Sequence, residues 1–400
     1  MHPTSTPASR MWNDAVTARQ DDAPLYAGAS YSAWARDLYR RMPLPKSSLL
    51  VFESTVEEPV HLLADLVSRA FSGGPPDRYE SVFGRGNPHL LAALAARYGV
   101  AGRSILAVTG VSSGMAQVLN TLVSPGDHVL VERPGFDVLS SLAHAAWCKV
   151  TDLARPAPDF DLTAADLRRA LRPDTRMVII SNLHNPSGRL LDEQRVLELA
   201  AAAAEVGAWL VVDEVYADFA RADAIRLQTA PNLLRINSLS KVFGLYALRC
   251  GWIIADPEVI ARVAAANAGL EFGVSKLTHA VAAMVLEDSG AFEDHWRGVL
   301  AAGRPVLARH MAAMASDGLI EGEAPPFGCM AFPRVVGHPD TLRLAESLWR
   351  EDGLVTAPGE MFGRAGHMRL GFGLSPAALD EGLSRLHESL RRRRGVSPEG

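Results

Sequence analysis

Short runs of apolar and β-branched residues alternate with alanine-rich stretches between Arg103 and Ala255. This alternation is typical of an α/β domain, because parallel strands need long crossover connections that are usually helices. The runs predict six strands, at residues 104–108, 128–132, 177–181, 209–213, 233–238 and 251–255. Helices are predicted at residues 112–123, 163–171 and 192–205, and a variant of the capping box formed by Thr163 and Asp166 begins the second of them.

The pattern changes after Pro257, where long helical stretches continue to about residue 315. A Pro/Gly break at residues 324–328 then precedes a second unit with the order strand, helix, strand, strand, helix. We therefore predict an α/β fold in which a large domain, with a mostly parallel sheet flanked by helices, is joined to a smaller α+β domain. The expected division is residues 1–72 for an N-terminal arm and part of the small domain, 73–290 for the large domain, and 291–400 for the rest of the small domain.

Size, charge and cysteine content exclude several classes of protein. The chain has 400 residues, 48% of them hydrophobic, which is enough for a sizeable core and too many for a disordered protein. A net charge of −5 gives no basic excess, so no nucleic-acid partner is expected. No segment resembles a signal peptide or approaches the roughly 18 apolar residues of a membrane span, so no membrane partner is expected. Three distant cysteines in no metal or redox spacing predict a reducing, cytoplasmic location and no metal site.

Lysine is rare in this chain. Of the 40 basic residues only Lys46, Lys149, Lys241 and Lys276 are lysines. Because guanidinium stays protonated whereas a desolvated ammonium can lose its proton, these four are the candidates for covalent amine chemistry. Lys241 directly follows a predicted strand, at the edge of the sheet where open α/β folds bind ligands. A solvated surface charge is the expectation for the other three.

Polar residues also follow two other predicted strands. Asp213 ends the apolar run 209–213, where a carboxylate is costly to bury without a cationic partner such as a protonated pyridine nitrogen. The alternative role for Asp213 is to cap the segment that follows. Asn185 lies in the loop after the run 177–181, in a turn shaped by proline and glycine, and offers an amide for hydrogen bonding.

The first strand is followed by residues 109–114 and then by a helix, an arrangement that directs backbone N–H groups and a helix dipole at an anion. The segment lacks the spaced glycines of a dinucleotide site and the Gly-Lys-Ser/Thr of a P-loop, so it indicates a small phosphate ester. Ser238 and Arg249 offer a hydroxyl and a guanidinium to the same phosphate. Phe136 is a candidate for stacking on a flat ring, although a lone phenylalanine is more often part of a core.

Four motifs in order give the chain a family resemblance. They are Asn-Pro-Ser-Gly at residues 185–188, Asp-Glu-Val-Tyr at 213–216, Ser-Leu-Ser-Lys at 238–241 and Leu-Arg-Cys-Gly-Trp at 248–252. With them the chain resembles, over about residues 79–386, the class I/II aminotransferases among the fold-type I pyridoxal-phosphate enzymes.

The resemblance implies a role for each motif residue. Lys241 holds pyridoxal phosphate as a Schiff base and then shuttles the proton of the substrate's α-carbon, while Asp213 keeps the pyridine nitrogen protonated. Asn185 and Tyr216 hydrogen-bond to the ring's 3-oxygen, and Phe136 stacks on the ring. The implied phosphate ligands are the backbone of Val111 and Ser112 together with the side chains of Ser238, Ser240 and Arg249.

Substrate and subunit contacts follow from the same resemblance. Arg369 matches the family's arginine for the substrate α-carboxylate, against the alternative of a surface arginine on an edge strand. Tyr79 resembles the tyrosine that reaches the phosphate of a neighbouring subunit, which implies a homodimer with shared active sites. The spacing between Tyr79 and the following glycine is longer than in the family.

The acidic segment 53–58 stands where the family commonly has a short glycine-containing loop. Together with residues 328–334 it resembles pyridoxal-phosphate enzymes of natural-product pathways, including arginine-handling members. Our hypothesis is that Glu53 or Glu57 faces a polar or basic substrate side chain. The alternative is that these acids only precede a helix that begins near Pro59.

The expected function is a pyridoxal-phosphate-dependent aminotransferase that moves an amino group from an L-amino acid to a 2-keto acid. The same scaffold also supports a cyclase, a hydroxylase or oxidase, a lyase or a decarboxylase, because the bond that reacts depends on geometry that a sequence does not show. A regulator with an aminotransferase-like domain is disfavoured, since the stretch before Tyr79 is too short for a DNA-binding domain. A dehydrogenase is disfavoured by the missing Gly-x-Gly-x-x-Gly.

Overall fold

The computed structural model describes residues 24–26, 30–45, 47–79, 84–221, 225–269 and 274–394. Helix α1 (Tyr31–Arg40), the short strand β1 (Leu49–Leu50), helix α2 (Val60–Phe71) and helix α3 (Pro88–Tyr98) precede the central sheet. Asn87 begins α3, because its side chain accepts hydrogen bonds from the N–H groups of His89 and Leu90 at 3.0 and 3.2 Å.

Seven strands form the central sheet: β2 (Ile105–Val108), β3 (His128–Arg133), β4 (Lys149–Ala154), β5 (Thr175–Ser181), β6 (Trp209–Asp213), β7 (Leu233–Ser238) and β8 (Gly251–Ile254). Their order is β2-β8-β7-β6-β5-β3-β4. Strand β8 is antiparallel to both of its neighbours, and the remaining pairs are parallel. The predicted mostly parallel sheet is thus confirmed, with β4 as a strand that the sequence did not predict.

Strand β4 is polar because it lies at the edge of the sheet. Among the described residues it pairs only with β3, and four of its six residues are exposed. Its sequence, Lys-Val-Thr-Asp-Leu-Ala, therefore lacks the continuous apolar run that marks a strand covered on both faces.

Helices cover both faces of the sheet. They are α4 (Val111–Leu122), α5 (Asp137–Ala145), α6 (Ala164–Ala170), α7 (Glu193–Ala204) and α8 (Pro257–Asn267). Along β5, Met177 and Ile179 pack into one apolar layer, whereas Val178 and Ile180 pack into the layer on the opposite face. This alternation explains why the central strands are apolar at every position.

The C-terminal part begins with α9 (Lys276–Glu287) and α10 (Gly290–Ser316). Small strands and two further helices follow: β9 (Ile320–Glu321), β10 (Met330–Ala331), β11 (Arg334–Val335), α11 (Thr341–Asp352), β12 (Leu354–Val355), β13 (Ala357–Pro358), β14 (Met368–Gly371) and α12 (Pro376–Arg393). Strands β10, β14 and β13 form one antiparallel sheet, and β12 pairs in parallel with β1. Residues 49–50 are therefore tied to the C-terminal part, and the domain boundaries drawn from the sequence stay a prediction.

The sequence pattern predicts one strand over residues 354–357, after the first helix of the second unit, but the structure divides this stretch into β12 and β13. Thr356 separates β12 from β13, and its backbone carbonyl and N–H bind the hydroxyl of Tyr26 at 2.8 and 3.1 Å. The hydroxyl of Tyr26 thus satisfies the backbone groups of Thr356, which a neighbouring strand would otherwise bind.

Helix α1 is joined by hydrogen bonds to helix α5, which covers the central sheet. The hydroxyls of Ser30 and Ser32 donate to one carboxylate oxygen of Asp137, at 2.7 and 2.8 Å. Asp137 is the first residue of α5.

None of the helices within the described ranges is both long enough and apolar enough to cross a membrane.

Candidate active site

A cavity of about 150 Å³ lies at the carboxyl ends of β6 and β7. Every predicted site residue except Tyr79 and Glu53 lines it: Val111, Ser112, Phe136, Asn185, Asp213, Tyr216, Ser238, Ser240, Lys241, Arg249 and Arg369. The fold brings these residues together because parallel strands end at the same edge of the sheet. The roles assigned to them individually stay predictions.

One end of the cavity gathers groups that suit an anion. Helix α4 begins at Val111, so the backbone of Val111 and Ser112 lines the same cavity as the hydroxyls of Ser238 and Ser240 and the exposed guanidinium of Arg249. Gly110 precedes the helix with a φ of 84°, and a Cβ there would lie 2.6 Å from Nη2 of Arg249. The absence of a side chain at residue 110 therefore leaves room for the guanidinium, and the set fits a phosphate.

Asp213 lies on the floor of the cavity, and only 4% of it is exposed. Its carboxylate accepts a hydrogen bond from the N–H of Val215 at 3.1 Å, and it forms no ion pair within the described residues. Burial raises the pKa of Asp213 to about 7, against the lowering effect of the Val215 N–H. A cation placed here, such as a protonated ring nitrogen, would restore the charged carboxylate.

Lys241 faces the same cavity. Its pKa is lowered, first because burial disfavours the ammonium and then because the positive charge of Arg369 is near. A lysine with a lowered pKa is more often a neutral amine, which is the form that attacks a carbonyl carbon.

Arg369, on β14, is fully buried. Its Nη1 donates to Oδ1 of Asn185 at 3.0 Å, and its Nη2 donates to the hydroxyl of Tyr31 at 2.6 Å and to the carbonyl of Phe52 at 3.0 Å. The Nε atom has no partner within the described residues, and no carboxylate there forms an ion pair with this guanidinium. A buried, uncompensated guanidinium that lines a cavity suits a carboxylate ligand.

Asn185 rests on a buried network. Its N–H donates to Oγ of Ser181 at 3.0 Å, and the N–H of Ser181 donates to Oε1 of Glu132 at 2.8 Å. The other oxygen of Glu132 forms an ion pair of 2.7 Å with Nη1 of Arg155. The loop that carries Asn185 is therefore held from below by a charged pair that sequence reasoning missed, because neither residue belongs to the four motifs.

Two residues close to the N-terminus also line the cavity. Tyr31, on α1, lies with its ring centroid 5.9 Å from that of Phe136, and the hydroxyls of Ser54 and Tyr216 are hydrogen-bonded at 2.8 Å. Burial raises the pKa of Tyr216 above its usual range, so this phenol stays protonated. The sequence reasoning left the role of residues 1–45 open and gave no signal for Tyr31 or Ser54.

Tyr79 and Glu53 lie outside the cavity lining. Lys276 Nζ lies 4.2 Å from the centroid of the Tyr79 ring, and the residues that follow, 80–83, are outside the described part of the chain. The predicted reach of Tyr79 into a neighbouring subunit stays a prediction. Glu53 lines a second, adjacent cavity of about 320 Å³, and burial raises its pKa while Lys241 and Arg369 act in the opposite direction.

The residues present fit pyridoxal phosphate. A phosphate would meet the start of α4, two serines and Arg249, and a protonated ring nitrogen would supply the cation that Asp213 lacks. The amine of Lys241 suits the aldehyde, and the aromatic ring of Phe136 lines the same cavity.

Comparisons with known proteins agree with this fit. The sequence model of the family "Aminotransferase class I and II" matches residues 75–386. Capreomycidine synthase of Streptomyces vinaceus is 33% identical over 331 residues, which span 78% of this chain and 82% of that protein. The crystal structure of the PLP-dependent cyclase OrfR has a TM-score of 0.77 at 26% identity, and covers 94% of this chain and 98% of the cyclase. A tetra mutant of Thermus thermophilus aspartate aminotransferase has a TM-score of 0.75 at 22% identity, and covers 87% of this chain and 99% of that one.

The family match extends over more than half of the chain, from the residues before α3 to the last helix. It confirms the predicted cofactor and enzyme class, pyridoxal phosphate and a PLP-dependent aminotransferase, and the structural likeness confirms the aspartate-aminotransferase-like fold. The chain belongs to the aminotransferase class I and II family, whose members are pyridoxal-phosphate-dependent enzymes that act on amino acids and 2-keto acids.

Proposed function

We propose that this enzyme moves the amino group of an L-amino acid to a 2-keto acid, with Lys241 as the cofactor's attachment point and as the group that carries the proton of the substrate's α-carbon. The main support for this proposal is that Lys241, Asp213 and Arg369 line the same cavity. Pyridoxal phosphate, when bound, supplies an aldehyde that takes up the amino group and a ring that withdraws electrons from the α-carbon.

Arg369 binds the α-carboxylate of the amino acid. Its guanidinium is already oriented by Asn185, Tyr31 and the carbonyl of Phe52, so little side-chain freedom is lost when the substrate arrives. The lowered pKa of Lys241 favours the neutral amine, which is the form that can accept a proton from the α-carbon and return it to another atom. Asp213 would stabilise a positive charge on the ring nitrogen, and the Tyr216 hydroxyl, which is hydrogen-bonded to Ser54, would offer a hydrogen bond to the cofactor.

The test is a single half-reaction. Purified holoenzyme is mixed with one L-amino acid at a time, without any keto acid, and the visible absorbance of the lysine-bound cofactor is followed. Transamination predicts a stoichiometric loss of that absorbance, release of one equivalent of 2-keto acid, and recovery of the absorbance when a 2-keto acid is added. The matched variants are Lys241→Arg, which abolishes the change, and Lys149→Arg on the exposed edge strand β4, which leaves it intact.

A second candidate function is a cyclase reaction on an amino acid. Its support is the 33% identity with capreomycidine synthase and the 26% identity with a PLP-dependent cyclase of the same fold. The same half-reaction separates the two functions. Repeated turnover of an amino acid, with no keto acid released and the cofactor absorbance restored after each cycle, would reject transamination in favour of this candidate.

We also propose a homodimer in the cytoplasm. Helix α2 supports the dimer, because none of its residues is fully buried and Val60 at its start is 60% exposed. Four apolar residues of the helix are only partly buried against the core: Leu62, Leu63, Leu66 and Val67. A second copy of the chain would cover this face and bring Tyr79, which lies beyond the end of α2, to the neighbouring site. Light scattering of the holoenzyme should give twice the 43.0 kDa of the chain, and Val60→Glu with Leu63→Glu should lower that mass.

A further inference from the structure

The backbone at Glu53 packs closely against β14, the strand that carries Arg369. The N–H of Gly371 donates to the carbonyl of Val51 at 2.8 Å, and Nη2 of Arg369 donates to the carbonyl of Phe52 at 3.0 Å. A Cβ at residue 371 would overlap the carbonyl oxygen of Glu53, so the two segments are as close as their backbones allow. The position of Glu53 is therefore fixed relative to the guanidinium that would hold the substrate carboxylate.

The carboxyl group of Glu53 has no fixed cation. It lies at the wall of the second cavity, near enough to Lys241 and Arg369 for both charges to act on it, and it forms no ion pair within the described residues. The hydroxyl of Tyr39 donates to its Oε1 at 3.4 Å. The two cations that stabilise this carboxylate are thus the two groups that the proposed reaction occupies.

Charge balance then changes when a substrate binds. An α-carboxylate on Arg369 would neutralise the guanidinium, one of the charges that lower the pKa of Glu53. Glu53 would then have an additional negative charge nearby and no ion-pair partner within the described residues, which is costly for a partly buried carboxylate. A positive charge on the substrate's own side chain would restore the balance.

The surroundings of Glu53 suit a cationic side chain. The side chains of Tyr39 and Tyr246 are 53% and 59% exposed. Both lie near Glu53, because burial and then the charges of Glu53 and Tyr246 raise the pKa of Tyr39. Exposed aromatic faces attract guanidinium and ammonium groups. Tyr246 also lines the second cavity together with Glu53, so these two residues offer a carboxylate and a phenol ring to the same ligand.

The other acids of the segment have a different explanation. Glu57 and Glu58 also line the second cavity, as does Ser375, the N-cap of α12. The partial positive charge at a helix N-terminus stabilises carboxylates placed there. The N–H of Glu57 also donates to the carbonyl of Gly373 at 3.0 Å, so this part of the segment has a structural role.

We propose that Glu53 binds the cationic group of the substrate's side chain, so that the amino donor is a basic L-amino acid with a guanidinium or an ammonium group. The inference rests on the proposed function for the placement of the α-carbon at Lys241 and the α-carboxylate at Arg369. Tyr39 acts as a positioning residue, since its hydroxyl orients the carboxylate.

The test compares charged amino acids with neutral ones of the same shape. Arginine is paired with citrulline and lysine with norleucine, and the rate constant kcat/KM of the half-reaction is measured with holoenzyme. Dissociation constants come from calorimetry on holoenzyme reduced with borohydride, in which the cofactor is fixed to Lys241 and no reaction follows. We expect at least one of the charged members to be preferred about 10- to 100-fold in both measurements, and Glu53→Gln to remove that preference.

Two further variants make the result specific. Glu57→Gln is the matched control and should keep the preference, whereas Tyr39→Phe should reduce it several-fold. Equal affinity of the wild-type protein for charged and neutral members, or a preference that survives Glu53→Gln, would overturn the proposal. Turnover of neutral amino acids alone would overturn the role of Glu53 but leave the transaminase function in place. A preference for charged amino acids in calorimetry, without any release of keto acid, would reject the transaminase function but support the role of Glu53.

Discussion

Arg155 and Glu132 form an ion pair, 2.7 Å between Nη1 and Oε2, in which neither side chain is exposed to solvent. The pair lies beneath the active site, because Glu132 also binds the backbone N–H of Ser181, and Ser181 in turn binds Asn185. Removing one partner of such a buried pair leaves the other charge uncompensated, which is strongly destabilising. The position of Arg369, which binds Asn185, is thus supported by a charged pair outside the cavity lining.

Glu132→Gln is expected to destabilise the protein by about 3 to 5 kcal/mol, because it leaves the Arg155 guanidinium buried without a counter-charge. The measurement is the free energy of unfolding in urea. Glu205→Gln is the matched control: it removes the acid from the Arg168–Glu205 ion pair, whose side chains are 49% and 50% exposed, and should cost less than about 1 kcal/mol. Equal losses for the two variants would contradict this account.

Gly110→Ala is expected to weaken cofactor binding. The added Cβ would lie 2.6 Å from Nη2 of Arg249 and would displace the guanidinium from the phosphate end of the cavity. Loss of one charged hydrogen-bonding group should raise the dissociation constant of pyridoxal phosphate by about tenfold or more. Gly126→Ala is the control, since Gly126 has a similar φ of 91° but open space around it. It should lower stability by about 1 kcal/mol and leave cofactor affinity unchanged.

Arg369→Lys should raise the KM for amino acids by about 10- to 100-fold with little change in cofactor affinity. A lysine cannot bind Asn185, Tyr31 and a substrate carboxylate at once, because it lacks the planar fork of the guanidinium. Half-reaction kinetics and cofactor titration measure the two effects separately. The control is Arg334→Lys on β11, where a 44% exposed side chain pairs with Glu321 outside the cavity. A loss of cofactor binding in Arg369→Lys would place this arginine at the phosphate instead.

The cofactor-free protein should become less stable as the pH rises from about 4 to 7. Asp213 has a pKa of about 7 in the folded state, against roughly 3.9 in an unfolded chain, so the folded state binds the extra proton between these values. Its contribution is fully present below the lower pKa and is lost as the pH passes the higher one. Between pH 5 and pH 8 this loss of stability is about 3 kcal/mol.

Asp213→Asn removes this titration. The variant should therefore gain stability relative to the wild-type protein as the pH increases, when both are unfolded in urea without cofactor. Parallel pH profiles of the two proteins would show that Asp213 does not titrate in this range. In holoenzyme the difference should shrink, because the ring nitrogen supplies the positive charge that keeps the carboxylate ionised.

The sequence was sufficient for the residues that follow strands. Asp213, Ser238 and Lys241 are placed by the end of an apolar run, and strand direction then brings them to one edge of the sheet. The capping box of Thr163 and Asp166 is present as predicted, because its bonds are local and depend on a spacing of three residues. These features can be predicted since the physical cause lies within a few residues of the effect.

Contacts between distant segments could not be predicted in this way. Tyr31 reaches Arg369 across 338 residues, and Ser54 reaches Tyr216 across 162. Nothing in the local pattern around Tyr31 or Ser54 differs from that of other polar residues near a helix or a turn. The break at Thr356 likewise depends on Tyr26, which lies 330 residues away.

Helix α1 connects the two halves of the site, since Tyr31 holds Arg369 while Ser30 and Ser32 hold Asp137 at the start of α5. An amino acid that binds the oriented guanidinium therefore favours the docked helix, and a docked helix raises the affinity for the amino acid by the same factor. Substrate affinity and the order of the first helix are two measures of one equilibrium. Slower amide hydrogen exchange in α1 on addition of an unreactive carboxylate ligand would be its direct signature.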